Sequence, residues 1–459
     1  MFGNTKREKL LRDEGARVAA MGRAELGEAY RDGLRSYADR VNLFVRQEAD
    51  GTLPSGGKEP DSLIEAFSGR LLEILRAEGR LDRAEFPPFH GAVLPLLREH
   101  AMWTGGTAWL PEGILLEAGG ACWLAAGPGR SEPIPGWLGF GVSPCGTWIG
   151  AVVEDGEGLA IEIRQGLSGA VLQRLAVPKS LRGCLDRDDL DIWEGTPRLT
   201  EVIVHPNGRE AVLVTEGGIL VVSGEGARLA YPDRQRIDEG VAAAADCGDG
   251  RYAINLSMEH AALSPDGRLL IVGDQCSDHV LMDYGAFEEI GAVLPTVSYP
   301  NFAAFTADGS MALVSSCHFY SGETQILDVQ AWKDVRDGSV LGITGRYGRV
   351  GASVSAGGSV SAGGSVWIGD AHGYIRRLSA DAQDGRLEAG RQFLGGTPTG
   401  MAISPDGGHL AVLCHSGFLH VLSLKPEDAG ADPYRIGAGA LRELWSTLFW
   451  KESPGTWVW

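Results

Sequence analysis

Along the first fifty residues the apolar positions recur at helical intervals. Tyr30, Leu34, Tyr37, Val41 and Phe44 lie four and three apart, which places them on one face of a helix. No proline interrupts residues 6–48, and Leu10, Leu11, Val18 and Met21 begin the stripe less regularly. Gly15, Gly22, Gly27 and Gly33 each weaken such a helix by about 1 kcal/mol relative to alanine. A Gly/Ser/Pro-rich loop over 50–60 follows. Asp61 or Ser62 can then cap a second helix whose face is Leu63, Phe67, Leu71 and Ile74. A third helix is predicted over 88–100, with Pro88 in its first turn.

After Trp103 the helical period stops. Short runs of Val, Ile, Leu and Trp are now separated by turns that end in glycine. The same unit returns at 109–116, 141–153, 202–214, 261–272, 303–314, 350–368 and 401–413: an apolar stretch, a tight turn, a second apolar stretch. The turns read Pro-Glu-Gly, Pro-Cys-Gly, Pro-Asn-Gly, Pro-Asp-Gly, Ala-Asp-Gly, Ala-Gly-Gly and Pro-Asp-Gly. Proline presets a negative φ, Asp or Asn bonds its own backbone, and glycine takes the positive φ that reverses the chain. Further strands follow at 280–283, 324–328, 374–378 and 418–424. Units starting roughly 30 to 60 residues apart are the signature of a repeat architecture. Three or four antiparallel strands per unit predict a mainly β chain, a β-propeller of about seven blades, with six or eight as alternatives and a flat sandwich as the structural rival. SVSAGG at 353–358 is repeated at once over 359–364. The duplication keeps strand faces in phase and reads as a lengthened hairpin tip or a built binding loop.

The runs AALSPDGRLLIVGD (261–274), MAISPDGGHLAVLC (401–414) and VIVHPNGREAVLVT (202–215) resemble the first two strands of blades in the WD-repeat and YVTN-type propeller families. The resemblance spans roughly residues 100–425 and rests on the hairpin signature. No unit ends in Trp-Asp and none opens with Gly-His, so it points to the broader superfamily of bacterial propellers. The expected organisation is an α-helical module over 1–100, the propeller over 101–425 and a Trp-rich tail over 426–459. In that tail Leu441, Leu444, Trp445, Leu448 and Phe449 follow helical spacing, and Pro454 would end the helix. The tail is expected to be helical and buried against the N-terminal helices. The last unit shows only three strands before Pro426, so a strand from 102–110 is expected to complete it.

Charge narrows the partners. The net charge is −19, and the first hundred residues hold 16 basic against 17 acidic side chains, so nearly all of it sits on the remainder. Such a surface repels phosphate backbones and excludes nucleic acid as an expected partner. No apolar run reaches the 18 or more residues of a membrane span, and no apolar core follows the basic residues near Met1. Seven cysteines without a CxxC pair argue against a disulfide framework or zinc ribbon and for a reducing, cytoplasmic compartment. The run LDRDDLDIWE at 185–194 is acidic, either a solvated excursion or a dock for a basic partner.

In a propeller the Pro-x-Gly turns share one face, and the starts of the innermost strands share the other. Aligning the units on their turn glycine puts Thr200, Glu259, Asn301 and Thr399 at one position, with Glu201 and His260 at the next. The opposing loops bring Asp274, Cys276, Asp278 and His279, then Cys317 and His318, then Asp370 and His372, then Cys414 and His415. The candidate binding residues of this face are therefore Glu201, Glu259, His260, Asn301, His318, His372 and His415. Two chemistries fit. Such a face can receive a protein partner with no cofactor. Alternatively, carboxylate, amide and imidazole groups can hold a divalent metal ion that polarises an ester or lactone carbonyl. Polar residues also gather in loops simply because loops are solvated. No nucleotide-binding glycine motif and no nucleophile elbow is present. The expected function is a bacterial, cytoplasmic interaction scaffold whose N-terminal helices allow oligomerisation. The alternative is a metal-dependent propeller hydrolase of lactonase or esterase type.

Overall fold

The computed structural model describes residues 2–54, 63–87, 102–156, 158–179, 198–233, 235–239, 260–274, 278–291, 293–295, 300–316, 324–334, 343–345, 350–356, 365–370, 373–378, 387–394, 396–425, 441–450 and 456–458. The chain is mainly β, with a helical module at its N-terminal end. Among the described residues no helix is long and apolar enough to cross a membrane.

Each of the seven hairpins expected from sequence is present as an antiparallel pair, beginning at Thr104–Leu110, Trp137–Val142, Leu199–Val204, Ala261–Leu263, Pro300–Phe305, Val350–Ala356 and Pro398–Ile403. Among the described residues these hairpins grow into seven four-stranded antiparallel units, each strand pairing with the next in sequence. The fourth and seventh units add a short fifth strand. Two units fuse into a curled eight-stranded sheet, because Trp137–Val142 and Leu199–Val204 run parallel and meet at Val142 and Ile203. The first strand of the first unit lies beside that of the last, where Thr104 and Thr399 hydroxyls are 3.0 Å apart and Trp109 stacks on His409. The arrangement fits a β-propeller.

The turn chemistry is as the residues dictate. Gly146, Gly208, Gly267, Gly309 and Gly407 hold φ between 67° and 73°. Ser264, Thr306 and Ser404 hydroxyls accept from the backbone N–H five residues on and donate to Asp266, Asp308 and Asp406. These turns also clasp one another. The Trp148 indole donates to the Pro206 carbonyl at 2.9 Å in the next unit. His205 in turn bonds the Gly267 carbonyl at 3.0 Å and stacks on Tyr284 at 4.6 Å. A side chain at 267 would collide with that imidazole.

The N-terminal module is α1 (Phe2–Ala19), α2 (Arg23–Ala49), a 3-10 turn Ile64–Phe67 and α3 (Ser68–Glu78). The apolar stripe is broken at 20–22, so two helices replace one long one. Tyr30, Leu34 and Val41 are fully buried, and Phe67 and Leu71 face the first two across the module. The third predicted helix, over 88–100, lies outside the described residues.

Two expectations about the C-terminal region are corrected. Arg442–Phe449 is a strand, and it completes the seventh unit by pairing with Phe418–Ser423. The 102–110 strand instead opens the first unit. The helical spacing arose from a bulge: Val421 pairs with Trp445 and Leu422 with Glu443, leaving Leu444 unopposed. One extra residue turns a period of two into spacings of three and four. Burial against the helices is found in part, since Leu444, Trp445 and Phe449 pack toward the first unit and Leu441 within the last. Leu448 and Trp450 join Tyr30, Phe67 and Leu71 in one cluster, while Phe449 points the other way onto Trp123 at 5.6 Å. Arg76 lies over the Trp450 ring at 5.4 Å, and Arg83 donates to the Leu444 carbonyl at 2.5 Å. The carboxylate of Glu443 meets buried His420 at 3.0 Å.

Replacing fully buried Trp450 by alanine should therefore cost about 3–5 kcal/mol of stability. Chemical denaturation of the variant measures it. An unchanged midpoint would mean that the helices do not depend on this strand.

Candidate functional site

The face opposite the Gly-turns is shaped by bulges at the start of the innermost strands. The ladder slips at Leu138, Thr200, Asn301, Gly351 and Thr399, and across Gly105–Gly106 in the first unit. A bulge bends a strand and re-aims the residues beside it. The Thr200 and Thr399 hydroxyls donate back to the carbonyls of Val214 and Leu413 on the neighbouring strand. The position aligned from sequence at Thr200, Asn301 and Thr399 is this bulge.

Two carboxylates stand beside the bulges and reach across to the next unit. Glu117, on the second strand of the first unit, accepts from the Phe140 N–H at 3.0 Å in the second unit. Gly105 makes room for it, since a Cβ there would overlap the carboxylate. Glu201 accepts from the Ala261 N–H in the fourth unit. Both side chains are half-buried, with part of their surface accessible and protein crowding the rest. Burial raises the Glu117 carboxyl above its usual range, against the bonds from Phe140 and Gly106. Burial likewise pushes Glu201 up to about 7, opposed by Ala261 and helped by the charge of Glu117.

His260 immediately precedes the innermost strand of the fourth unit and is buried, as is His279 on the third strand. Their rings lie 5.4 Å apart at 50°. Burial holds His260 well below the usual histidine range, with His279 adding to it. Burial also brings His279 down to about 4, with the Phe302 backbone acting the other way. Both imidazoles are therefore neutral at pH 7.

Of the candidates named from sequence, Glu201 and His260 come from adjacent units and are linked through Ala261, the residue after His260. His415 is exposed in the turn after Cys414, its N–H donating to the Thr397 carbonyl at 2.8 Å. The Asn301 backbone forms the bulge, and its side chain lies outside the described residues. Glu259, His318 and His372 also lie outside them. Among the described residues no group of three or more His, Cys, Asp or Glu side chains is placed to hold a metal ion. Sequence reasoning missed Glu117; its signal was a single acid in the apolar strand Gly113–Ala118, facing a Gly-Gly pair. It also missed the large apolar residues of this face. Trp103 is 68% exposed just ahead of the first innermost strand, and Leu138 is 44% exposed at the bulge of the next unit.

No family model matches the chain, and no curated protein matches it. Among solved structures the chain is similar to Kuenenia stuttgartiensis hydrazine synthase, with 12% sequence identity, 70% of this chain and 96% of that chain covered, and a TM-score of 0.44.

A carboxyl whose folded pKa lies above its unfolded value takes up protons on folding. Glu201 therefore costs the fold progressively more as pH rises from about 4.5 to about 7, and no more beyond. Glu201→Gln should match the parent protein at pH 4 and exceed it by roughly 1–3 kcal/mol at pH 8. Urea titrations at the two pH values check this. An equal effect at both would place the carboxylate in open water.

Proposed function

We propose that the seven units are the blades of a closed propeller of the WD-repeat-like or YVTN-type superfamily, and that the chain is a non-catalytic interaction scaffold. In this reading, the face where the innermost strands begin binds a protein partner. The observation that carries it is the exposure of Trp103 and Leu138 on that face, in adjacent units. An indole left two-thirds in water stands out among the described tryptophans, the rest of which are buried or half-buried, and Trp is enriched at the anchors of protein interfaces. Contact between the innermost strands of the first and last units supports closure. Closure leaves no open sheet edge at that seam. The acidic charge of the chain favours a neutral or basic partner. Cys122, Cys145 and Cys414 are free thiols, in keeping with a reducing, cytoplasmic setting.

A photo-crosslinking residue at position 103 or 138 should capture a defined partner in the cell of origin, whereas one at exposed Glu112 on the turn face should not. Trp103→Ala should weaken that partner's affinity by tenfold or more, in the range of an interface anchor worth over about 1 kcal/mol, at unchanged melting temperature. Equal capture from both faces would overturn the assignment of the face.

A further inference from the structure

In the fourth unit three residues stand abreast across three strands. His260 leads the innermost strand, and its carbonyl lies 3.4 Å from the Gly273 nitrogen. Gly273 pairs in turn with His279 on the third strand. Residues opposite one another in an antiparallel ladder share a face, so the two histidines flank the glycine on the same side. The glycine is what lets them meet. A Cβ at 273 would fall 2.2 Å from Cε1 of His260, inside the space the imidazole now fills.

The chemistry of the pair is unusual for a β interior. His260 is 6% exposed and His279 is 0% exposed. Among the described residues none of their four ring nitrogens has a hydrogen-bond partner of normal geometry, although the Phe302 backbone approaches His279. Each unsatisfied buried nitrogen costs on the order of 1–3 kcal/mol. A purely structural histidine at position 260 would spend at least one nitrogen on a neighbouring carbonyl, as His205 does on Gly267, whereas only His279 is met by a backbone group, that of Phe302. Two neutral imidazoles side by side are the form in which histidine ligates metals. With metal–nitrogen bonds of about 2.0–2.1 Å and a tetrahedral angle, two ligating rings have centroids roughly 5 Å apart. The observed separation is 5.4 Å.

We propose that His260 and His279 bind one divalent transition-metal ion of the imidazole-preferring class, zinc being the representative, with water completing its coordination. The ion would join the first and third strands of the unit and satisfy nitrogens that burial otherwise strands. The pair belongs to the fourth unit and Trp103 to the start of the first, and metal uptake is read without reference to any partner, so the two proposals are tested independently.

The full chain, stripped with chelator and titrated with zinc chloride in a calorimeter, should bind one ion. His260→Ala and His279→Ala should each weaken binding at least tenfold, while His409→Ala, just after the turn at Gly407, should leave it unchanged. Cobalt(II) in place of zinc should give visible ligand-field bands that both buried-site variants lose. If either variant fails to fold, X-ray absorption at the zinc edge of the unaltered protein decides, and two imidazole ligands support the site. No uptake by the unaltered protein, variants that bind as it does, or a zinc shell without imidazole would each overturn the proposal.

Discussion

A strand with large apolar groups on both faces must be covered on both. Arg442–Phe449 is such a strand, and much of the architecture depends on it. One face lays Phe449 into the seam between the last unit and the first; the other, continued by Trp450, closes the core of the helical module. Without it the seventh unit would end on three strands, and Tyr30, Phe67 and Leu71 would lack part of their cover. Full burial of an aromatic side chain is worth roughly 1.5–3 kcal/mol. The strand therefore couples two parts of the chain through contacts that neither can replace. Arg83 and His420, meeting at Glu443, add a polar fastening at the same junction.

Between units the coupling is more distributed. On one face a side chain from each of several turns grips the backbone of the next, as Trp148 does at Pro206 and His205 at Gly267. On the other face Glu117 and Glu201 do the same through backbone N–H groups of the following innermost strand. The two carboxylates thus carry a structural task and pay for it in raised basicity. Their partial accessibility keeps this face polar beside the bulges, on the same face as exposed Trp103 and Leu138.

The turns were legible in the sequence because Asp-Gly after Pro or Ala fixes local backbone geometry with no help from afar. The placement of Glu201 and His260 near the starts of the innermost strands was legible for a related reason: alignment on the turn glycine carries position along a short strand. Glu117 was not, because the groups that receive its carboxylate lie in another unit more than twenty residues on. The pairing of His260 with His279 depends on cross-strand register through Gly273, which a linear reading cannot supply. The terminal strand was misread for the opposite reason. Its bulge at Leu444 reproduced helical spacing, and burial of both faces erased the alternation that marks a strand.

The helical module also has a schedule imposed on it. Its helices leave the ribosome well ahead of Phe418, Leu448 and Trp450, which complete its core and come some four hundred residues later. At roughly 5–20 residues per second the gap is on the order of tens of seconds. Throughout that interval the nascent chain carries an apolar surface whose proper cover does not yet exist, and the helices wait for a strand that has still to be made.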